Sequence, residues 1–273
     1  MKENGLKAGS ELLNRLQNIE TDMLVDIDEF CRVHDIQYSL AYGTALGAVR
    51  HHGPIPWDDD VDICMTRKEY EKFIKAWNEN PKKGYYLQRC GYDTNSKINH
   101  SKIRKDGTVW ASEEEVKSNE HTGVWVDVFV WDKVPDNKII RMYMQLYGIL
   151  NLVYTRDYPY DRGGKGLKIL SQILLLLPKK MKQAIRKKAE TIIKKYKHRR
   201  KNYSYLCFAA PSSLKQYFPG KTFENCVKID YSGHMLSITD NVDDVLKIIY
   251  GNYMELPPEE KRICGHMPEV IDI

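Results

Sequence analysis

In the string Pro56-Trp57-Asp58-Asp59-Asp60-Val61-Asp62-Ile63, four carboxylates occupy five consecutive positions. Charges that close repel one another, and a folded chain tolerates them only when water or a cation neutralises them. An EF-hand does not fit, because no glycine stands at the sixth position counted from any of the four. If Asp60 opens a strand running to Met65, Asp60 and Asp62 project to one side and Val61 and Ile63 to the other. Two carboxylates on one side make a hard oxygen pair that suits magnesium. The plainer alternative is a solvated acidic loop, or aspartates capping nearby helix ends.

The residues upstream weigh against that plainer reading. A short strand, Gln37 to Ala41, leads into Gly43-Thr44 and one or two helical turns through Arg50. Gly43 would let the backbone approach a phosphate, and Thr44 with the helix start would offer it donors. A third carboxylate, Asp127, interrupts the otherwise apolar strand Val124 to Trp131, where an unpaired charge is expensive. It reads as a third metal ligand or a catalytic base, against the alternative of a buried aspartate paired with an arginine.

Three stretches together resemble the LicD-type phosphotransferases: Tyr42-Gly43-Thr44 through Arg50-His51, Ile55 through Asp62, and Gly123 through Asp132. Weaker similarity lies at Lys102-Ile103-Arg104 and at Tyr250 through Pro258, and there is a distant resemblance to fukutin-related protein. The resemblance covers roughly residues 30–135 well and 220–262 loosely. It implies a nucleotidyltransferase-like fold, a divalent metal (magnesium or manganese) and a CDP-linked alcohol as donor. Asp60, Asp62 and Asp127 would then be the catalytic and metal-binding residues. Gly43, Thr44, Arg50, Lys102 and Arg104 would contact the donor phosphates, with an ordinary structural charge as the alternative for the three cations. His51 and His52 are left as polar loop residues. A quaternary ammonium would need aromatic faces, and Tyr42, Trp57, Trp110 and Trp125 lie near the site in sequence.

The function implied is transfer of a phospho-alcohol, phosphocholine foremost, to a hydroxyl of a glycan or its lipid-linked precursor, with CMP released. Such glycans belong to lipopolysaccharide, teichoic acid or capsule. The rival readings are an ordinary nucleotidyltransferase that releases pyrophosphate, and an inactive membrane-associated scaffold.

Around these motifs, strands and helices interleave. Residues 10–34 read as an amphipathic helix capped by Ser10, and Thr66-x-x-Glu69 as a capping box. Phe223 to Ile238 reads as a hairpin turning at Ser232-Gly233, and the tail beyond Tyr250 as polar. The expected architecture is α/β (α+β): a mixed, nucleotidyltransferase-like sheet flanked by helices and carrying a basic helical insertion. The expected domains are a catalytic core over 1–135, a basic helical segment over 136–203, and a hairpin and helix over 204–273 that return to the core.

Charge is distributed unevenly over the 273 residues. Residues 165–201 hold fourteen lysines and arginines against one acid, Glu190, while the rest of the chain holds 28 basic and 36 acidic side chains. Beside the aliphatic run Ile173 to Leu177, such a segment suits an anionic membrane surface. Nucleic acid is not expected, since no module for it is present. With scattered cysteines, no apolar leader and no long apolar run, the expected location is cytoplasmic, peripheral on the inner face of the membrane.

Overall fold

The structure, a computed structural model, describes residues 9–89, 98–118, 120–156, 159, 165–210, 212–266 and 268–273. They form an α+β fold in two compact units. The first comprises Met1–Gln88, Ser101–Phe129 and Lys221–Ile273, and the second Arg89–His100 and Val130–Gly220.

The first unit opens with α1 (Glu11–Val33). Ser10 caps it, its hydroxyl accepting the Leu13 N–H at 3.3 Å. The apolar positions recurring at helical spacing (Leu13, Leu16, Met23, Leu24, Ile27, Phe30, Cys31) are all buried. Next come β1 (Ser39–Leu40), α2 (Tyr42–His51), β2 (Val61–Thr66) and α3 (Arg67–Glu79). At α3 only half of the expected capping box forms. Thr66 accepts the Glu69 N–H, but the Glu69 carboxylate turns to the Gln37 N–H at 3.1 Å. Glu69 therefore ties α3 to the start of β1. The reciprocal box is found at Ser112 and Glu115, on α4 (Glu113–Lys117).

The sheet continues with β3 (Tyr85–Gln88), β4 (Ser101–Lys105) and β6 (Trp125–Pro135), in the order β1-β2-β6-β4-β3. Strands β4 and β6 pair antiparallel with Lys102 opposite Asp127. That register sets a cation beside the acid that interrupts the apolar strand. The hairpin forms as β9 (Cys226–Tyr231) and β10 (His234–Thr239). Ser232 and Gly233 turn it, both at positive φ (54° and 83°), as a two-residue turn matched to strand twist requires. The unit also contains α8 (Val242–Tyr250). The tail read as polar forms a short strand, β11 (Val270–Asp272), antiparallel to β5 (Val109–Ala111). Three residues of mixed polarity leave no periodic signal for such a strand.

In the second unit the C-terminal half of β6 pairs with β7 (Tyr203–Cys207), and β7 with β8 (Phe218–Pro219). Helices α5 (Lys138–Arg156), α6 (Lys165–Leu175) and α7 (Lys179–Lys194) complete it. Pro178 divides the basic segment, as its missing N–H requires, and stands as the N-cap of α7. Val134, Met144, Leu152, Ile192, Ile193 and Leu206 form its buried core. Among the described residues, no helix is long and apolar enough to cross a membrane.

Candidate active site

The carboxylates assemble in the first unit at the start of β2. One oxygen each of Asp60, Asp62 and Asp127 lies within 4.8 Å of the others. Asp60 precedes β2 and Asp62 is its second residue, so alternation places both on the side that meets Asp127 on the neighbouring β6. Val61 and Ile63 turn into the core at 2% and 0% exposure, which anchors the strand and fixes the two acids. Oxygen-only donors at this spacing fit a hard divalent cation.

Electrostatics agree with that fit. Burial, together with the Asp60 and Asp59 carboxylates, pushes Asp58 up to about 8. Burial and the Asp127 and Asp59 carboxylates, opposed by His266, push Asp60 up to about 6. Burial and the Asp60 and Asp127 carboxylates hold Asp62 well above the usual carboxylate range. On α1, Glu20 is raised in the same way, by burial and then by Asp60 and Asp58. An acidic cluster this depleted of water needs positive charge to ionise fully.

Lys102 supplies one positive charge. Its Nζ lies 3.5 Å from Asp127 Oδ1 and 3.6 Å from the centre of the Trp125 ring. Burial lowers its pKa, and Asp127 opposes that shift. Trp125 in turn donates its Nε1–H to Asp127 Oδ2 at 3.2 Å, so both oxygens of Asp127 have neighbours that fix the carboxylate.

The other sequence candidates fall into different places. Gly43 lies in the first turn of α2, and a Cβ there would come 2.5 Å from Asp58 Oδ2. The bare glycine thus admits a carboxylate against the helix start. Thr44 is buried, and its Oγ1 accepts the Asp62 N–H at 2.7 Å, fixing α2 to β2. Arg50 donates to the Tyr253 carbonyl at 2.7 Å and to the Glu255 carbonyl at 3.3 Å. Arg104 is 2% exposed and donates to Gln88 Oε1 and to the Gly123 carbonyl, with Glu115 3.7 Å away. Trp110 is enclosed in the core at 1% exposure. Tyr42, at φ 42°, sets its ring edge-on to Phe129, and Trp57 carries Arg262 5.5 Å from its ring centre. Of the four aromatics, Tyr42 and Trp57 are the half-buried pair.

Two site residues escaped sequence reasoning. Asp59 is 2% exposed and accepts the backbone N–H groups of Gly265 and His266 at 2.9 and 2.7 Å. His266 Nδ1 then lies 3.4 Å from Asp59 and 3.8 Å from Asp60, and the Asp59 carboxylate raises the imidazole pKa. Asp59, Asp60 and His266 form a second group able to hold a metal. The sequence marks Asp59 only as one acid among four, and nothing links it to a histidine 207 positions on.

Three aspartates that converge beside a buried lysine can hold a divalent cation against a phosphate, and the matches to known proteins point to a phosphotransferase. Residues 35–148 match the family described as LicD/FKTN/FKRP, nucleotidyltransferase domain. The chain is similar to the lipopolysaccharide cholinephosphotransferase LicD of Haemophilus influenzae, 26% identical over 254 residues that cover 88% of this chain and 90% of that protein. It is also similar to an uncharacterized protein of Rickettsia typhi, 33% identical over 139 residues, covering 51% of this chain and 34% of that one.

Proposed function

We propose that the chain transfers phosphocholine, or a closely related phospho-alcohol, from a CDP-linked donor to a hydroxyl of a cell-surface glycan or its lipid-linked precursor. The observation that carries this reading is the convergence of Asp60, Asp62 and Asp127 within 4.8 Å. The likeness to a lipopolysaccharide cholinephosphotransferase supports choline as the alcohol and lipopolysaccharide as the kind of acceptor.

Asp60, Asp62 and Asp127 would hold magnesium, which supplies charge neutralisation on the donor diphosphate. Lys102 at one oxygen and Trp125 at the other would hold the Asp127 carboxylate in position as a ligand. Lys102 places a desolvated positive charge where donor phosphate oxygens would gather. The acceptor oxygen forms a bond to the choline-bearing phosphorus in line with the bond that breaks, CMP departs with that electron pair, and the hydroxyl proton passes to a carboxylate of the cluster. Tyr42 and Trp57, which are half-buried rather than enclosed, suit a quaternary ammonium that cannot accept or donate a hydrogen bond.

The test is mass spectrometry of products after incubation with magnesium, a glycan acceptor and a panel of CDP-alcohols or NTPs. The expected result is phosphocholine on the glycan with stoichiometric CMP. Pyrophosphate from an NTP, with no CMP from any CDP-alcohol, would replace this reading with ordinary nucleotidyl transfer.

A further inference from the structure

We propose that the second unit carries a docking face for an anionic lipid bilayer, centred on α5 and bordered by the lysines of α7. Helix α5 buries Met144, Gly148 and Leu152 on one side. On its outer side Ile139, Met142, Tyr143 and Leu146 follow the i, i+3, i+4, i+7 rule of a single helical stripe, and they are 78, 68, 47 and 53% exposed. An apolar stripe of that kind, held on a helix whose other face is already packed, is costly in water unless something covers it.

The neighbouring charges indicate what covers it. Tyr143 packs edge-on against Tyr147 at 4.9 Å, and Lys188 of α7 lies 5.6 Å from the Tyr147 ring. The basic face of α7 therefore begins directly beside the stripe, within a segment holding fourteen lysines and arginines against Glu190. Helix α6 repeats the pattern, with Ile169, Leu170 and Ile173 at 56, 49 and 58% exposure. Apolar side chains flanked by lysines match a surface with acyl chains below and negative headgroups above. A second copy of the chain is disfavoured as the occupant, because it would bring two strongly cationic segments together. A nucleic acid would leave the apolar stripe uncovered. This inference rests on the second unit alone and is independent of the proposed reaction.

Co-sedimentation of the full chain with vesicles tests it, comparing pure phosphatidylcholine with a mixture containing phosphatidylglycerol. Wild type is expected to bind the anionic vesicles at least tenfold better, with salt weakening the binding without abolishing it. Met142→Ser with Leu146→Ser, and separately Lys179→Gln, Lys187→Gln and Lys188→Gln together, should each reduce binding about tenfold. These positions are exposed, so unchanged melting curves serve as the folding control. Equal binding to both vesicle types, no binding, or variants that bind like wild type would overturn the proposal. So would a wild-type dimer in light scattering that the serine pair converts to monomer, since the stripe would then be a contact between copies.

Discussion

Asp59 accepts the backbone N–H of His266 at 2.7 Å, joining the acidic loop to a segment 207 positions later. The same carboxylate accepts the Gly265 N–H at 2.9 Å and is almost fully buried. Asn at this position keeps one acceptor oxygen and turns an NH2 group toward the other donor. Asp59→Asn should therefore cost about 2–3 kcal/mol in urea unfolding, the scale of a lost charge-assisted bond plus an unsatisfied donor. A loss below about 0.5 kcal/mol would mean that this carboxylate does not hold the tail.

Asp62→Asn and Asp60→Asn should both lower CMP release by about a hundredfold or more, the scale on which one electrostatic contact to a transition state acts. The same changes remove a carboxyl group whose ionisation burial and its acidic neighbours disfavour, so melting temperature in EDTA should rise rather than fall. Activity above a tenth of wild type in either variant would remove that carboxylate from the site.

Proton linkage gives the third expectation. Burial and neighbouring carboxylates push Asp58 and Asp60 up to about 8 and about 6, above the ordinary aspartate value near 3.9 in the unfolded chain. Between those limits the folded state binds more protons, so stability in EDTA should fall as pH rises from about 4 to 8. The slope approaches about 1.4 kcal/mol per pH unit for each group still protonated only in the fold. Magnesium held by Asp60 and Asp62 must displace protons from carboxyls whose pKa is raised, so its stabilising effect should be small at pH 5 and grow toward pH 8. Melting curves across pH with and without magnesium measure both trends, and stability in EDTA that rises with pH would contradict them.

Lys102→Met keeps the length of the side chain and removes the ammonium beside Asp127. In EDTA this should destabilise the fold by about 3 kcal/mol, the scale of breaking a buried ion pair. Saturating magnesium should narrow the gap, because the cation takes over the neutralising charge, while turnover stays low. An equal loss with and without magnesium would assign Lys102 to packing alone.

Local features of the fold were legible because each rests on a few neighbouring residues. The Ser10 cap, the break at Pro178, the Ser232-Gly233 turn and the Asp60/Asp62 alternation all need fewer than five positions to specify. The position of Asp127 was legible too, since a charge in an apolar strand needs a reason. Long-range partners were not legible. Glu20 reads in α1 as an ordinary polar helix residue, and only the packed fold brings it under the influence of Asp60 and Asp58. Glu69 fitted a capping box by spacing, yet a backbone donor 32 positions earlier takes its carboxylate. Arg104 and Arg50, read as phosphate contacts, also donate to carbonyls and an amide that no local pattern announces.

The bond from Asp59 to His266 also sets an order of events on the ribosome. At roughly 5–20 residues per second, the 207 positions between them take on the order of 10–40 s to synthesise. Throughout that interval the acidic loop has been made but its peptide donors have not, so hydration alone compensates the Asp59 charge. The Asp59 carboxylate is consequently held by water in the nascent chain until the segment bearing Gly265 and His266 has been made.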